Sequence, residues 1–332
     1  MKTIEECAAK IAGQDIRAHN RTWRYTLACL FLGTILLYSL ACAQNTVTTP
    51  DSLHIGISAN MFNDMSVTDA LVATRVWAAS IARKKGFKHN EFSATFLGDK
   101  SEVLSAVNNR SVDLLVLEPS QYLELHDKLA AEPRFIPSVR GQIGDACILL
   151  VHRQSGISGI ESLRNKDILL QSSAFSTLCD VWLENLVMAQ GVATVERYFG
   201  KVTKTERPSK TVLSVFFRQV DACLVPRGIF ETMAELNPQL KSDLIVVATS
   251  PIFVASVMLI RADYRPALRE SLVDSMLNIK AEPRGQQLLD LFQISGFETF
   301  KDSYLDSARQ ELAKNVRFRK QLGKLTTAAA RP

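Results

Sequence analysis

Side chains capable of covalent chemistry are scattered through this sequence rather than gathered. The five histidines, His19, His54, His89, His126 and His152, stand far apart. No HExxH, GxSxG, phosphate-binding glycine loop or Cys–His pairing accompanies them, and Asp and Glu mostly follow helix surfaces. No CxxC or mixed His/Cys spacing suggests zinc. Neither an enzyme nor a cofactor is expected. A different chemistry is available at Ser176-Thr177, two hydroxyls that open a helical stretch running to Gln190. Read alone, the pair is a helix cap. A helix start also presents unpaired amides and the positive end of the helix dipole, so it can hold an anion.

The elements that must carry this pair alternate. Leu53 to Ile57 reads as a strand, Thr68 to Lys85 as a helix, Phe92 to Leu97 as a strand and Ser101 to Arg110 as a helix. Val112 to Leu117 is a nearly continuous apolar run, the mark of a strand covered on both faces. Two strands follow, Ile136 to Gln142 and Ala146 to His152, before a turn at Gln154-Ser155-Gly156. A second series then begins, with helices Ile160 to Arg164, Ser176 to Gln190, Ser209 to Gln219 and Ile229 to Leu236. Between them lie strands Ile168 to Gln171, Phe199 to Thr203, Ala222 to Val225 and Asp243 to Ala248. Ser256 to Arg261 reads as a strand returning to the first sheet, and Pro266 to Ile279, Pro283 to Phe292 and Ser303 to Arg319 as helices. No internal repeat is evident. The expected architecture is α/β and two-lobed, each lobe a mixed sheet flanked by helices, with a cleft between them. Residues 52–152 form the first part of lobe 1, 153–249 lobe 2, 250–320 the return to lobe 1 and 321–332 a flexible tail.

The first fifty residues are of another kind. A polar leader with Lys2, Lys10, Arg17, Arg21 and Arg24 precedes an uncharged run from Tyr25 to Ala43 that ends in Ala41-Cys42-Ala43. A positive leader, an apolar stretch and small residues form an export signal. Three readings stay open: cleavage, retention of residues 25–43 as an inner-membrane anchor, and lipidation at Cys42, which Ser39 three residues earlier disfavours. Residues 44–51 are a polar linker, and everything after it is expected outside the cytoplasm. Cys147, Cys179 and Cys223 are left for the folded part. One disulfide among them is open to an exported protein, but small buried thiols are the expected state. The chain has 332 residues, 47% of them hydrophobic and 22% charged, and a net charge of +5 without a run of consecutive basic residues. Nucleic acid is therefore excluded as a partner.

Several short stretches carry a resemblance through their order. They are Leu53-His54-Ile55-Gly56-Ile57, then Ser111-Val112-Asp113-Leu114-Leu115-Val116-Leu117-Glu118-Pro119-Ser120-Gln121-Tyr122, and Val151-His152-Arg153-Gln154-Ser155-Gly156-Ile157. Ser173-Ala174-Phe175-Ser176-Thr177, Val220-Asp221-Ala222 and Gly296-Phe297 complete the set. Together they resemble the periplasmic phosphate/phosphonate-binding proteins of ABC transporters, of the type II periplasmic binding fold, over about residues 52–310.

The resemblance implies a solute-binding protein that delivers a small anionic ligand, phosphonate-like or a carboxylate, to an ABC permease. The alternative is a membrane-anchored sensory or partner-presenting module of the same fold. In the family a Ser-Thr-Ser-Gly sequence holds the anion. Ser176 and Thr177 keep its first two positions, while Leu178 and Cys179 replace the others. Tyr122 matches a tyrosine near the cleft, with Ser120 beside it. Glu118 stands where the family has Gly, an extra carboxylate that opposes a simple phosphate unless the ligand also carries an amine. Ser209-Lys210 aligns with a Ser-His pair near the anion. Arg227 falls near a position where the family places an acid for the ligand's amino group, and Asn60 lies on the rim of the first lobe.

Overall fold

The structure, a computed structural model, describes residues 53–59, 72, 92–172 and 176–329. The export segment, the linker, Asn60 and nearly all of the helix expected over Thr68 to Lys85 lie outside these residues.

Two mixed sheets form among the described residues. The first has the order β12-β4-β11-β3-β1-β2, with β5 paired to β4. Its members are β1 (Leu53–Ser58), β2 (Phe92–Leu97), β3 (Leu114–Leu117), β4 (Ala131–Val139), β5 (Gln142–Ile143), β11 (Val257–Arg261) and β12 (Gly296–Thr299). The second, β10-β6-β9-β7-β8, is built from β6 (Asp145–His152), β7 (Ile168–Gln171), β8 (Val202–Thr205), β9 (Ala222–Pro226) and β10 (Leu244–Phe253). Each sheet has an apolar cluster on both faces, so the central strands read as continuous apolar runs. The longer described helices are α1 (Lys100–Asn108), α2 (Pro119–Leu125), α3 (Ser176–Ala189), α4 (Pro208–Phe216), α5 (Arg227–Leu236), α6 (Pro266–Leu277), α7 (Pro283–Leu291) and α8 (Asp306–Ala329).

The two lobes repeat one design. In each, a central strand pairs in parallel with two neighbours, giving β3-β1-β2 in the first and β9-β7-β8 in the second. A nine-residue helix, α1 or α4, leads into the third strand of the unit. Both helices are followed by an arginine in the left-handed region, Arg110 and Arg218, each with φ of 56°. Each arginine opens a matching tetrad, Arg110-Ser111-Val112-Asp113 and Arg218-Gln219-Val220-Asp221. The aspartates do the same work: His54 N donates to Asp113 Oδ2 at 2.9 Å, and Asp167 N to Asp221 Oδ2 at 2.9 Å. Each thus ties the third strand of its unit to the start of the first. This four-residue repeat is too short to stand out in the sequence, where no repeat was expected. Asp113 also pairs with the largely buried Arg261 at 2.8 Å, whereas the cation at Asp221 is the more exposed Lys166 at 3.9 Å.

Three crossings join the lobes. The first is at Gly144, between β5 and β6, so Ala146 to His152 belongs to the second sheet rather than to lobe 1 as expected from sequence. The reason is β9, which pairs with β6 from Cys147 to Val151. Gly144 has φ of +80°, and a Cβ there would sit 2.4 Å from Phe253 O, which marks how closely the two crossing strands approach. The second crossing lies between Phe253, in the lobe 2 core, and Val254, in the lobe 1 core. The third is α8. Leu305, just before it, is buried in lobe 1, while Ala308, within it, is buried in lobe 2. α8 packs along α3: Asn185 Nδ2 donates to Glu311 O at 2.9 Å and to Glu311 Oε2 at 2.7 Å, and Asn315 Nδ2 to Glu184 Oε2 at 3.0 Å. The C-terminal helix therefore packs chiefly along lobe 2 while also meeting α2 of lobe 1, and is helical to Ala329 where a frayed tail was expected.

The remaining differences are local. Ile160–Leu163 is a 3-10 turn, and β8 begins at Val202 because Val195–Tyr198 forms a short helix just before it. β12 was not read as a strand. Cys147 and Cys179, expected as thiols, form a disulfide with Cα atoms 5.8 Å apart. Both point to the same face of the second sheet. Cys223 lies on the other face, and burial pushes its thiol pKa far up.

Candidate ligand-binding cleft

Between the lobes lies a cleft of about 610 Å³. Its first-lobe wall comes from the β2–α1 turn (Gly98, Asp99, Lys100, Ser101) and from the β3–α2 turn and helix (Glu118, Ser120, Gln121, Glu124), and its second-lobe wall from Thr177. The β2–α1 turn is held by reciprocal capping. Asp99 Oδ1 accepts from Glu102 N at 2.9 Å and from Ser101 Oγ at 2.6 Å, while Glu102 Oε2 accepts from Gly98 N at 2.6 Å. The Ser101 hydroxyl, then the Glu102 amide, holds the Asp99 carboxyl below its ordinary pKa. Pro119 occupies the first helical turn of α2, where its missing N–H costs nothing, and Glu118 stands at the N-cap position without capping its own helix.

The Glu118 side chain instead reaches across the cleft. Thr177 Oγ1 lies 3.1 Å from both Oε1 and Oε2 of Glu118, so the hydroxyl donates to the carboxylate from the second residue of α3. A carboxylate from lobe 1 thus occupies the ground in front of a lobe 2 helix start, where an anion is favoured. Glu118 is 4% exposed. Burial raises its pKa above the ordinary 4.5, and hydrogen bonds from Thr177 and Ser120 oppose that rise. Because the folded state favours the protonated acid, ionising Glu118 lowers stability as pH rises through its folded pKa. Glu118→Gln is therefore expected to raise Tm by about 2–4 °C near pH 7, with the gain vanishing below about pH 4, as thermal melts across that range will read.

Charge in the cleft is unbalanced. Among the described residues that line it, Asp99, Glu118 and Glu124 face a single cation, Lys100, which is ion-paired to Glu124. Gln121 lines the same wall, and its buried Oε1 has no hydrogen-bond partner among the described residues. A buried acceptor left unpaired costs about 1–3 kcal/mol.

The structure brings only part of the expected set together. Glu118, Ser120 and Thr177 line the cleft, and Ser176, half-buried, opens α3 one residue earlier. Tyr122 is 6% exposed and turned into the lobe 1 core, edge-on to Phe300. Burial, then the Asp302 carboxylate, raises its pKa. Ser209 and Lys210 are exposed on the first turn of α4 and do not line the cleft. Nor does Arg227, whose Nη2 donates to Thr249 Oγ1 at 3.1 Å, on β10. The start of α5 is already capped, Gly228 N donating to Asp145 Oδ2 at 2.9 Å. Sequence reasoning missed Asp99, Lys100, Ser101, Gln121 and Glu124. The spacing of Asp99 and Glu102 was a readable helix-start signal, but only the fold sets it opposite α3.

Two sheet-based lobes joined by crossing strands, with a polar cleft between helix starts, define a bilobal ligand-binding protein. The family described as "ABC transporter, phosphonate, periplasmic substrate-binding protein" matches residues 66–305. The chain belongs to that family, whose members serve transport rather than catalysis. That membership favours solute capture over the sensory alternative. Solved structures agree on the fold. XAC2383 from Xanthomonas citri, solved bound to ATP, has a TM-score of 0.59 and 17% identity, covering 81% of this chain and 98% of that one. A binding protein component of an ABC phosphonate transporter from Pseudomonas aeruginosa has a TM-score of 0.54 and 17% identity, covering 85% and 98%. PhnD1 from Prochlorococcus marinus, in complex with methylphosphonate, has a TM-score of 0.53 and 15% identity, covering 80% and 98%. No curated protein matches the chain in a sequence search. Among the described residues no helix is long and apolar enough to cross a membrane.

Proposed function

We propose that the cleft captures a small zwitterion, a phosphonate or similar acid carrying an amino group, outside the cytoplasm and delivers it to the permease of an ABC transporter. The acid group sits at the start of α3 against the hydroxyls of Thr177 and Ser176, where the positive end of the helix dipole favours negative charge. The amino group sits against Glu118. The observation that carries this reading is the meeting of opposite preferences in one cleft: a helix start that favours an anion, and Glu118 3.1 Å from the hydroxyl of that same helix start. A simple anion meets the first and is repelled by the second. A zwitterion satisfies both. The methylphosphonate bound by PhnD1 supports the choice of acid group.

The test is a thermal-shift panel on the purified chain. At a concentration about a hundred times Kd, 2-aminoethylphosphonate is expected to raise Tm by about 5–10 °C, with methylphosphonate and sulfate well behind. Equal stabilisation by methylphosphonate would remove the amino group from the reading. A flat response to every phosphonate would remove the ligand class.

A further inference from the structure

We propose that the Cys147–Cys179 disulfide is a positioning bond for the cleft, fixing the first turn of α3 to the strands that cross between the lobes. The inference rests on the reading of the α3 start as the ligand's seat. Cys179 lies two residues beyond Thr177, within one helical turn of it, and at a position where the sequence departs from the anion-binding pattern it otherwise follows. Cys147 is the third residue of β6, directly after the crossing at Gly144. Its N–H donates to Ser250 Oγ at 2.8 Å, on β10, the strand that carries the chain back to lobe 1. One covalent bond thus references the hydroxyl-bearing turn to both crossing strands at once.

The site of the bond distinguishes this role from plain reinforcement. Both cysteines are at most 3% exposed, within an apolar cluster that includes Leu178, Trp182 and Leu183 from the same helix. Farther along, α3 is already clamped to α8 through Asn185 and Glu311. That clamp leaves the first turn as the part of the helix whose place the bond decides. Cys223 lies on the opposite face of the sheet, in another cluster, so the pairing has no third thiol to trade with among the described residues. A shift of Thr177 by a fraction of an ångström changes a hydrogen bond steeply.

The experiment compares the full chain with Cys147→Ala/Cys179→Ala and with the volume-conserving Cys147→Ala/Cys179→Val. It uses calorimetric titration of 2-aminoethylphosphonate and hydrogen exchange of residues 176–183. The variants are expected to bind about tenfold more weakly and to exchange about tenfold faster at 176–183, with 114–125 in lobe 1 unchanged. If both variants fail to fold, the wild-type chain refolded in the presence of a phosphine gives the same comparison. Unchanged affinity and unchanged exchange at 176–183, with only Tm lowered, overturns the proposal. If the wild-type chain binds no phosphonate, the ligand reading fails separately, and exchange alone decides. Acceleration confined to 176–183 then supports a positioning bond, and uniform acceleration of both lobes overturns it.

Discussion

Glu118→Ala is expected to reverse the ligand preference of the cleft. In the intact protein the carboxylate attracts an ammonium group, and a hydrogen bond to a charged partner contributes about 1.5–3 kcal/mol. Its loss weakens 2-aminoethylphosphonate by about 10–100-fold. The same change strengthens methylphosphonate by about tenfold, because the carboxylate no longer competes for the α3 start or repels a second anion. The ratio of the two affinities therefore moves by two to three powers of ten, by the sum of those effects. Titration calorimetry of both compounds against both proteins measures it directly. The pH dependence has opposite signs for the two ligands in the intact protein. Burial already raises the Glu118 pKa. An anion beside it raises the pKa further, so methylphosphonate binding takes up a proton and weakens as pH increases. An ammonium beside it lowers the pKa, so 2-aminoethylphosphonate binds more tightly as pH rises through the titration of Glu118. Parallel slopes for the two compounds would show that the amino group does not meet this carboxylate.

Ser176→Ala/Thr177→Ala is expected to cost about 100-fold in affinity for every phosphonate, since two hydroxyl donors to a charged acid are lost together. Thr177 is the one with a defined partner, donating to Glu118 across the cleft at 3.1 Å. The single Thr177→Ala variant should therefore carry most of the loss. In the empty protein it also leaves Glu118 with Ser120 as its remaining side-chain donor, which brings the carboxyl still closer to its neutral form. A double variant that binds methylphosphonate as well as the intact chain would place the acid group elsewhere in the cleft.

Much of the fold was legible because the alternation of strand and helix is written in apolar periodicity. The run from Val112 to Leu117 could only be a covered strand, and Ser176-Thr177 before an apolar helix could only be a helix start. What escaped was direction. Order along the chain placed Tyr122, Lys210 and Arg227 near the cleft, but it cannot say which way a side chain turns. Tyr122 enters the core, Lys210 remains exposed on α4 and Arg227 meets Thr249. Asp99 and Ser101 look like any solvated helix cap until α3 is set opposite them. Three cysteines define three possible pairs, and the choice of Cys147 with Cys179 needs the packing of α3 on β6. The amphipathic pattern of α8 shows that it buries a face, not against which lobe.

That last element has a thermodynamic meaning. A joint of two adjacent strands alone, like those meeting at Gly144 and Phe253, would leave two lobes more relative arrangements than a joint with a third connection. α8, rooted beside Leu305 in one lobe and laid along α3 in the other, removes many of those arrangements before any ligand arrives. The empty protein therefore begins with less freedom to surrender, and less of the interaction energy at the α3 start is consumed in ordering the lobes. In such a molecule the helix that never touches the solute still helps to set how tightly it is held.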